Sequence, residues 1–423
     1  MKNALKFLVA LMLSLLARAV VRRYRPNIVM ITGSVGKTST KDAVAAVLSS
    51  RFLVRKSEKS FNSEFGVPFT ILGVPNPWAN PLAWFSVVKS ACALLVLPNH
   101  YPNMLVLEVG ADRPGDLARI LRMATPDAVV VTPLPEVPVH VEAYASPEAV
   151  REEEFSPAYA LRAAAPLVIS ADDEYAITNA KRLPARVISY GLAKDAAVRV
   201  SDIGFLEADG RVAGMRADVA MQNERGELTV KGSVGTTQVF PVAAALAVAV
   251  AFDIPLAKAQ EALASYEPPP GRGRLLRGRN GSLIIDDSYN SSPVAVEQAL
   301  ATLKSFPRAK RRVAVLGDML ELGRYSVEEH ARIGELARSS ADLVAAVGIR
   351  ARAFANAKGE AEVLLFDNSK SALKGLVGVV QEGDVVLVKG SQSVRTERIV
   401  KALLADPKDV PLLVRQERKW LLK

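Results

Sequence analysis

Residues 28–40, Ile-Val-Met-Ile-Thr-Gly-Ser-Val-Gly-Lys-Thr-Ser-Thr, constrain the fold of this chain more than any other stretch. The apolar, β-branched run Ile28 to Ile31 reads as a buried strand, a turn with two glycines follows, and Lys41 to Leu48 suits a helix. A strand, loop and helix in this order bind phosphate. Gly33 and Gly36 let backbone N–H groups come close to a polyphosphate, and the helix N-terminus adds its positive end. Gly33, Ser34, Val35, Gly36, Lys37, Thr38 and Ser39 are therefore the candidate nucleotide cradle. Lys37 can reach the outer phosphates, and the Thr38 hydroxyl can join a Mg²⁺ shell. Ile31 stands where the general P-loop has its first glycine, so the loop is a shorter form. Alone, it says only that a nucleotide binds.

The 423 residues suffice for two or three domains, each with its own core. The single cysteine, Cys92, excludes an internal disulfide, fits a reducing compartment and reads as a small packed side chain. A net charge of +10 raises the question of nucleic acid, but the cations are scattered and no basic run is interleaved with aromatics. The pattern speaks against a nucleic-acid partner. It suits anionic nucleotides or an anionic membrane face.

Residues 4–21 are strongly apolar, yet Lys6 and Arg18 leave only Phe7 to Ala17 uncharged, too short to cross a bilayer. No small-residue cleavage site precedes Arg22-Arg23-Tyr24-Arg25, which speaks against a secretory signal. Two readings stay open: a helix packed on the domain that follows, which the length favours, or an interfacial helix with a basic collar. Pro81 to Pro98 is a second apolar stretch. A buried helix is its simpler reading, a second membrane-facing surface the other.

The buried strand Met104–Leu107 ends in Glu108, which in an α/β sheet faces the ligand crevice and can hold Mg²⁺ opposite the nucleotide loop. Ala128 to Thr132 is a further strand, with His140 just past its end; a metal or phosphate role and a plain loop histidine both fit. Residues 195–231 alternate as antiparallel strands do, and 235–252 turn Ala-rich and helical. Tyr266 to Arg274, rich in Pro and Gly, is the clearest linker. Beyond it strands at 282–285, 312–316, 343–347 and 385–388 end in polar, mostly Gly-containing turns. The expected architecture is α/β. An apolar helix in 1–27 precedes a P-loop central domain (28–265) with a mostly parallel sheet; a linker (266–274) and a Rossmann-like C-terminal domain (275–423) follow.

Six ordered motifs then make the chain resemble one family. They are Gly33-Ser-Val-Gly-Lys37-Thr38, Phe61-Asn62-Ser-Glu-Phe-Gly66-Val-Pro68, Glu108-Val-Gly110, Asp286-Asp-Ser-Tyr-Asn290, Leu316-Gly-Asp318-Met-Leu-Glu321-Leu-Gly323 and Lys389-Gly-Ser391. Together they resemble the Mur ligases, and among these the branch that adds D-alanyl-D-alanine. The resemblance implies a cytoplasmic enzyme, at or away from the inner membrane face, that uses ATP and Mg²⁺ to phosphorylate a carboxylate. An amine then displaces the phosphate, the substrates being a nucleotide-sugar peptide and the D-Ala-D-Ala dipeptide.

It also implies roles. Lys37 neutralises the transferring phosphate, Thr38 and Glu108 hold one Mg²⁺, and His140 supports a second. Asp287 and Asn290 meet the nucleotide, His330 lies near its base or ribose, and Arg272 or Arg274 reaches phosphate on closure. Asn62, Lys389 and Ser391 face the other substrates.

Three departures stand out. The family's N-terminal UDP-binding domain has no counterpart before residue 28, which opens a place for a partner subunit. The family's carbamylated lysine falls on Glu154, a carboxylate able to hold Mg²⁺ directly or simply a solvated helix start. The family's His-Asn before the Ala-rich helix is Thr237-Gln238, and its later Asn is Pro241. Two rival readings remain: a ligase for a lipid-linked or polyglutamate acceptor, and a nucleotide-binding subunit that needs a partner.

Overall fold

The computed structural model describes residues 2–58, 60–77, 80–417 and 420. Nine strands form one sheet: β1 Asn27–Thr32, β2 Val54–Lys56, β3 Met104–Glu108, β4 Ala128–Val131, β5 Pro166–Ser170, β6 Arg186–Gly191, β7 Val198–Ala208, β8 Arg211–Met221 and β9 Glu224–Lys231. They lie in the order β2-β3-β1-β4-β5-β6-β7-β8-β9. Pairing is parallel as far as β7. It turns antiparallel from β7 to β9. The central strands β1, β3 and β4 are almost wholly buried, as continuous β-branched runs covered on both faces should be. The last three alternate in and out, as expected for a sheet with one wet face.

The covering helices are α1 Lys2–Tyr24, α2 Lys37–Ser49, α3 Gly66–Leu72, α4 Pro81–Val96, α5 Asp116–Met123, α6 Pro147–Tyr159, α7 Glu174–Ala180, α8 Thr236–Ala251 and α9 Leu256–Leu263. On one face α2 and α8 pack together; the alanines of α8 from Ala243 to Ala247 bring it close to the strands. On the other face lie α1, α3, α4, α5 and α6. Leu13, Ala17 and Val20 of α1 are buried in that layer, which bears out packing on the following domain. The opposite side of α1 is open. Helix α4 differs from the buried helix expected: Val87, Ala91 and Leu94 face inward, while Leu82, Phe85 and Val96 are exposed. Cys92 lies on its open side, so it is not a packed side chain.

The second sheet holds β10 Arg274–Arg277, β11 Leu283–Asp287, β12 Arg311–Gly317, β13 Leu343–Val347, β14 Glu362–Phe366 and β15 Asp384–Lys389, ordered β10-β11-β15-β12-β13-β14. All pairs are parallel except β10 with β11. Helices α10 Pro293–Ser305, α11 Ser326–Ser340, α12 Ser369–Leu376 and α13 Glu397–Leu403 complete the α/β layers. The linker is held at both ends. The Tyr266 hydroxyl donates to the Ser39 carbonyl at 3.2 Å, and Val234 N–H donates to the Gly273 carbonyl at 2.8 Å. Arg274, the first residue of β10, follows Gly273 directly and pairs with Asp286.

At the end of β11, Asp286 is fully buried and accepts from the N–H (3.1 Å) and hydroxyl (2.5 Å) of Ser288. Burial pushes its carboxyl from 3.8 up to about 6, with Ser288 opposing and the charges of Asp287 and Glu397 adding to the rise. A folded-state value above the ordinary one means that its stabilising contribution is complete below pH 3.8 and is lost as pH climbs through about 6. Asp286→Asn should remove that loss, on the order of 3 kcal/mol, from the pH dependence of unfolding free energy. Denaturant melts of both proteins at several pH values check this; a wild-type-to-variant difference independent of pH would remove Asp286 as the titrating group.

Candidate active site

The nucleotide loop is pinned against β4. Gly33 has φ 110°, and a Cβ there would lie 2.3 Å from the Thr132 carbonyl oxygen, so only glycine fits. Thr132 N–H and hydroxyl both donate to the Thr32 carbonyl, at 2.9 and 3.0 Å. The N–H groups of Ser34 and Val35 donate to the Pro133 carbonyl at 3.2 and 3.3 Å. Gly36, with φ 87°, then turns the chain into α2, whose N-terminus has no side-chain cap. The helix begins at Lys37 rather than Lys41, which puts Lys37 and Thr38 in its first turn with N–H groups available to an anion. Thr40 lines a cavity beside the loop, and Ser39 and Thr40 are both buried.

Thr38 Oγ1 donates to Glu108 Oε1 at 3.1 Å and lies 3.1 Å from Ser60 Oγ. The other oxygen, Glu108 Oε2, is buried and has no hydrogen-bond partner among the described residues. Burial pushes the Glu108 carboxyl up, and the charges of Lys41, Lys37 and Arg272 oppose that rise. An orphaned carboxylate oxygen beside a hydroxyl, at the phosphate end of a nucleotide loop, fits a hard divalent cation. Among the described residues no three His, Cys, Asp or Glu gather to hold a metal by themselves. The remaining ligands would be phosphate and water, which is how Mg²⁺ is commonly held.

Glu154 belongs elsewhere. It is 2% exposed behind the loop, where Oε2 accepts from Gly33 N–H at 2.9 Å and from the Thr32 hydroxyl at 3.0 Å. Its Oε1 lies 3.5 Å from Lys37 Nζ, which also donates to the Gly33 carbonyl. Burial overturns the solvated helix start expected for Glu154, which braces the loop.

The second domain supplies the facing wall. β11 and β15 are neighbours with Asp287 opposite Lys389. Lys389 Nζ sits 2.6 Å from Asp287 Oδ2 and donates to the Asn290 carbonyl at 3.1 Å. Asp287 thus positions Lys389. Ser391 Oγ accepts from Leu320 N–H at 2.9 Å, and Ser391 N–H donates to the Asp318 carbonyl at 3.1 Å. His330 is buried, its Nε2 accepting from Met319 N–H at 3.0 Å and its Nδ1 2.6 Å from the Ser326 carbonyl. His330 holds the turn after β12 from inside. The Arg274 guanidinium pairs with Glu267 at 3.4 Å, while Arg272 faces the cleft.

Contacts across the cleft are specific. His140 Nδ1 lies 2.9 Å from Glu321 Oε2, with Asp112 3.6 Å from Nε2. Burial pulls the imidazole pKa down, but the hydrogen bond and charge of Glu321, with Asp112, outweigh it and hold it above its ordinary value. The bond to His140 in turn lowers the Glu321 carboxyl. Ser60 Oγ is 2.6 Å from the Tyr289 hydroxyl, and the Arg272 guanidinium lies 4.1 Å from the Tyr289 ring centre. Glu321 and Tyr289 were visible inside the quoted motifs, but nothing in the sequence paired them with His140 and Ser60.

These walls enclose a cleft of about 840 Å³. Lys37, Thr38, Asn62, Glu108, His140, Arg272, Asn290, Lys389 and Ser391 all line it. On the other side of the loop a cavity of about 1130 Å³ is lined by Pro133, Asp173, Thr237, Phe240, Pro241 and Gln298, among others. Val35 and Gly36 line both spaces.

A nucleotide loop on one α/β sheet, closed by a second α/β domain that brings a lysine to the phosphate side, defines an ATP-dependent ligase. The chain belongs to the Mur ligase family. Residues 31–249 match the Mur ligase middle domain, and residues 271–392 match the Mur ligase glutamate ligase domain. The chain is 27% identical to the UDP-N-acetylmuramoyl-tripeptide–D-alanyl-D-alanine ligase of Bacillus subtilis, over 93% of this chain and 79% of that one. It is 30% identical to the ligase of the same name from Mycobacterium bovis, over 90% and 73%. The crystal structure of a MurF ligase from Thermotoga maritima in complex with ADP superposes with a TM-score of 0.78 at 26% identity, covering 95% of this chain and 84% of that one.

The brace on the loop is testable. Glu154→Gln should leave the Mg²⁺ midpoint of ATP-dependent phosphate release unchanged. Glu154→Ala, which strands Gly33 N–H while the Thr32 hydroxyl keeps its 2.6 Å bond to the Glu154 backbone carbonyl, should cost about 1–3 kcal/mol in a denaturant melt. A shifted Mg²⁺ midpoint in Glu154→Gln would return this residue to the metal shell.

Proposed function

We propose that this chain joins a carboxylate to an amine with ATP, adding D-alanyl-D-alanine to the tripeptide of a UDP-N-acetylmuramoyl precursor on the cytoplasmic side. The observation that carries the reading is the pair of spaces sharing Val35 and Gly36. A nucleotide laid across the loop has its base in the larger cavity near Thr237 and Phe240, and its terminal phosphate in the cleft facing Lys389.

A substrate carboxylate oxygen attacks the terminal phosphorus, the bond to the bridging oxygen breaks, and ADP leaves. The amine nitrogen then attacks the acyl carbon, phosphate departs with the bonding pair, and the nitrogen loses its proton. Lys37, released from the Gly33 carbonyl and Glu154 by the arriving phosphate, neutralises charge on the transferring group. Lys389, held by Asp287, presents its ammonium from the opposite wall to the acyl phosphate and the dipeptide's carboxylate, with Ser391 beside it. Asn62 stands next to Lys37 across Gly110 and orients the peptide carboxylate. Mg²⁺, held by Thr38 and the unpartnered oxygen of Glu108, would supply Lewis-acid neutralisation of the phosphates, and His140 lines the same cleft, where it would support a second ion.

Purified protein with ATP, Mg²⁺, UDP-muramoyl tripeptide and D-Ala-D-Ala should release phosphate only when both substrates are present, with the pentapeptide seen by mass. ATP binding without release from this pair would shift the reading to another acceptor, lipid-linked or polyglutamate, or to a missing partner subunit. Lys389→Ala should lower kcat by about a hundredfold or more while ATP affinity changes little. An unchanged kcat would take Lys389 out of the reaction.

A further inference from the structure

Helices α1 and α4 lie side by side. The Arg23 guanidinium donates to the Leu95 carbonyl at 2.7 Å, and the Tyr24 hydroxyl donates to the Leu94 carbonyl at 2.7 Å. Both bury one face in the same core, through Leu13, Ala17 and Val20 on α1 and Val87, Ala91 and Leu94 on α4. Their opposite faces therefore share the outer side of that layer. A soluble surface helix carries polar side chains there. Here α1 presents Leu8, Leu11 and Leu15, 59%, 46% and 57% exposed, and α4 presents Leu82 and Phe85 at 81% and 72%. On α1 the apolar stripe runs on into Arg18 and Arg22, both exposed, and on α4 Lys89 follows Phe85 by one turn.

The charge pattern selects the occupant. No Asp or Glu precedes Asp42, and none occurs between Glu64 and Glu108, so both helices and their surroundings in the chain are free of carboxylates. Apolar stripes on helices whose only charged residues are Lys and Arg match the boundary of an anionic bilayer, where leucines enter the acyl region and cations meet phosphate headgroups. A contact between two copies of the chain would instead set these cations against one another. No helix among the described residues is long and apolar enough to cross a membrane.

We propose that the joined outer face of α1 and α4 docks the protein on an anionic phospholipid surface, lying on the bilayer rather than through it. The catalytic cleft is built from other elements and stays open to soluble nucleotides.

Flotation of the purified full chain with phosphatidylcholine vesicles, with and without phosphatidylglycerol, tests this directly and does not depend on ligase activity. Binding should require phosphatidylglycerol and weaken with salt. Leu15→Glu and Phe85→Glu should each lower vesicle partitioning about tenfold or more, and the double change Arg18→Gln with Arg22→Gln should do the same. All are exposed positions, so their melting temperatures should match the unmodified chain. Failure to bind anionic vesicles, or equal binding to neutral ones, would overturn the proposal. So would a dimer in solution that Leu15→Glu splits, which would make the face a contact between copies.

Discussion

Everything at the catalytic centre depends on how closely the Gly33 backbone passes Thr132. With the Thr132 carbonyl where a Cβ would stand, only glycine lets the loop pass, and bonds to Pro133 and Glu154 hold it there. The first turn of α2 is aimed by that constraint. So are Lys37 and Thr38, the latter bonded to Glu108 on the adjacent strand β3. The loop is prepared before any nucleotide arrives, with Lys37 resting on internal partners that a phosphate can replace.

The second domain completes the centre by supplying counter-charges. Asp287 restrains Lys389, and Glu321 restrains His140 from across the cleft. The Ser60–Tyr289 and Arg272–Tyr289 contacts close the same seam. Two sheets that each end their strands in polar turns thus present those turns to each other, as the crevice rule for open α/β sheets anticipates.

Much of this was legible in the residues. Continuous β-branched runs announced β1, β3 and β4, and alternation announced the antiparallel strands from β7 to β9. What spacing leaves open is direction and depth. Successive helix side chains point about 100° apart, and α6 aims Glu154 at Gly33. His330 fell at the family spacing, yet spacing says nothing of burial. The pairing of His140 with Glu321 joins residues 181 positions apart and needed the assembled domains. Helix α4 misled because an apolar run looks alike whether its outer stripe is covered or bare.

The linker's two fastenings, Tyr266 on Ser39 and Gly273 on Val234, carry a consequence for how the wall bearing Lys389 meets its substrate. A domain tied this near its target cannot wander, so its local concentration over the nucleotide is set by geometry rather than by diffusion. Each engagement then costs little loop-closure entropy. Ligand binding energy that a longer tether would dissipate in finding the partner remains available for aligning the reacting atoms.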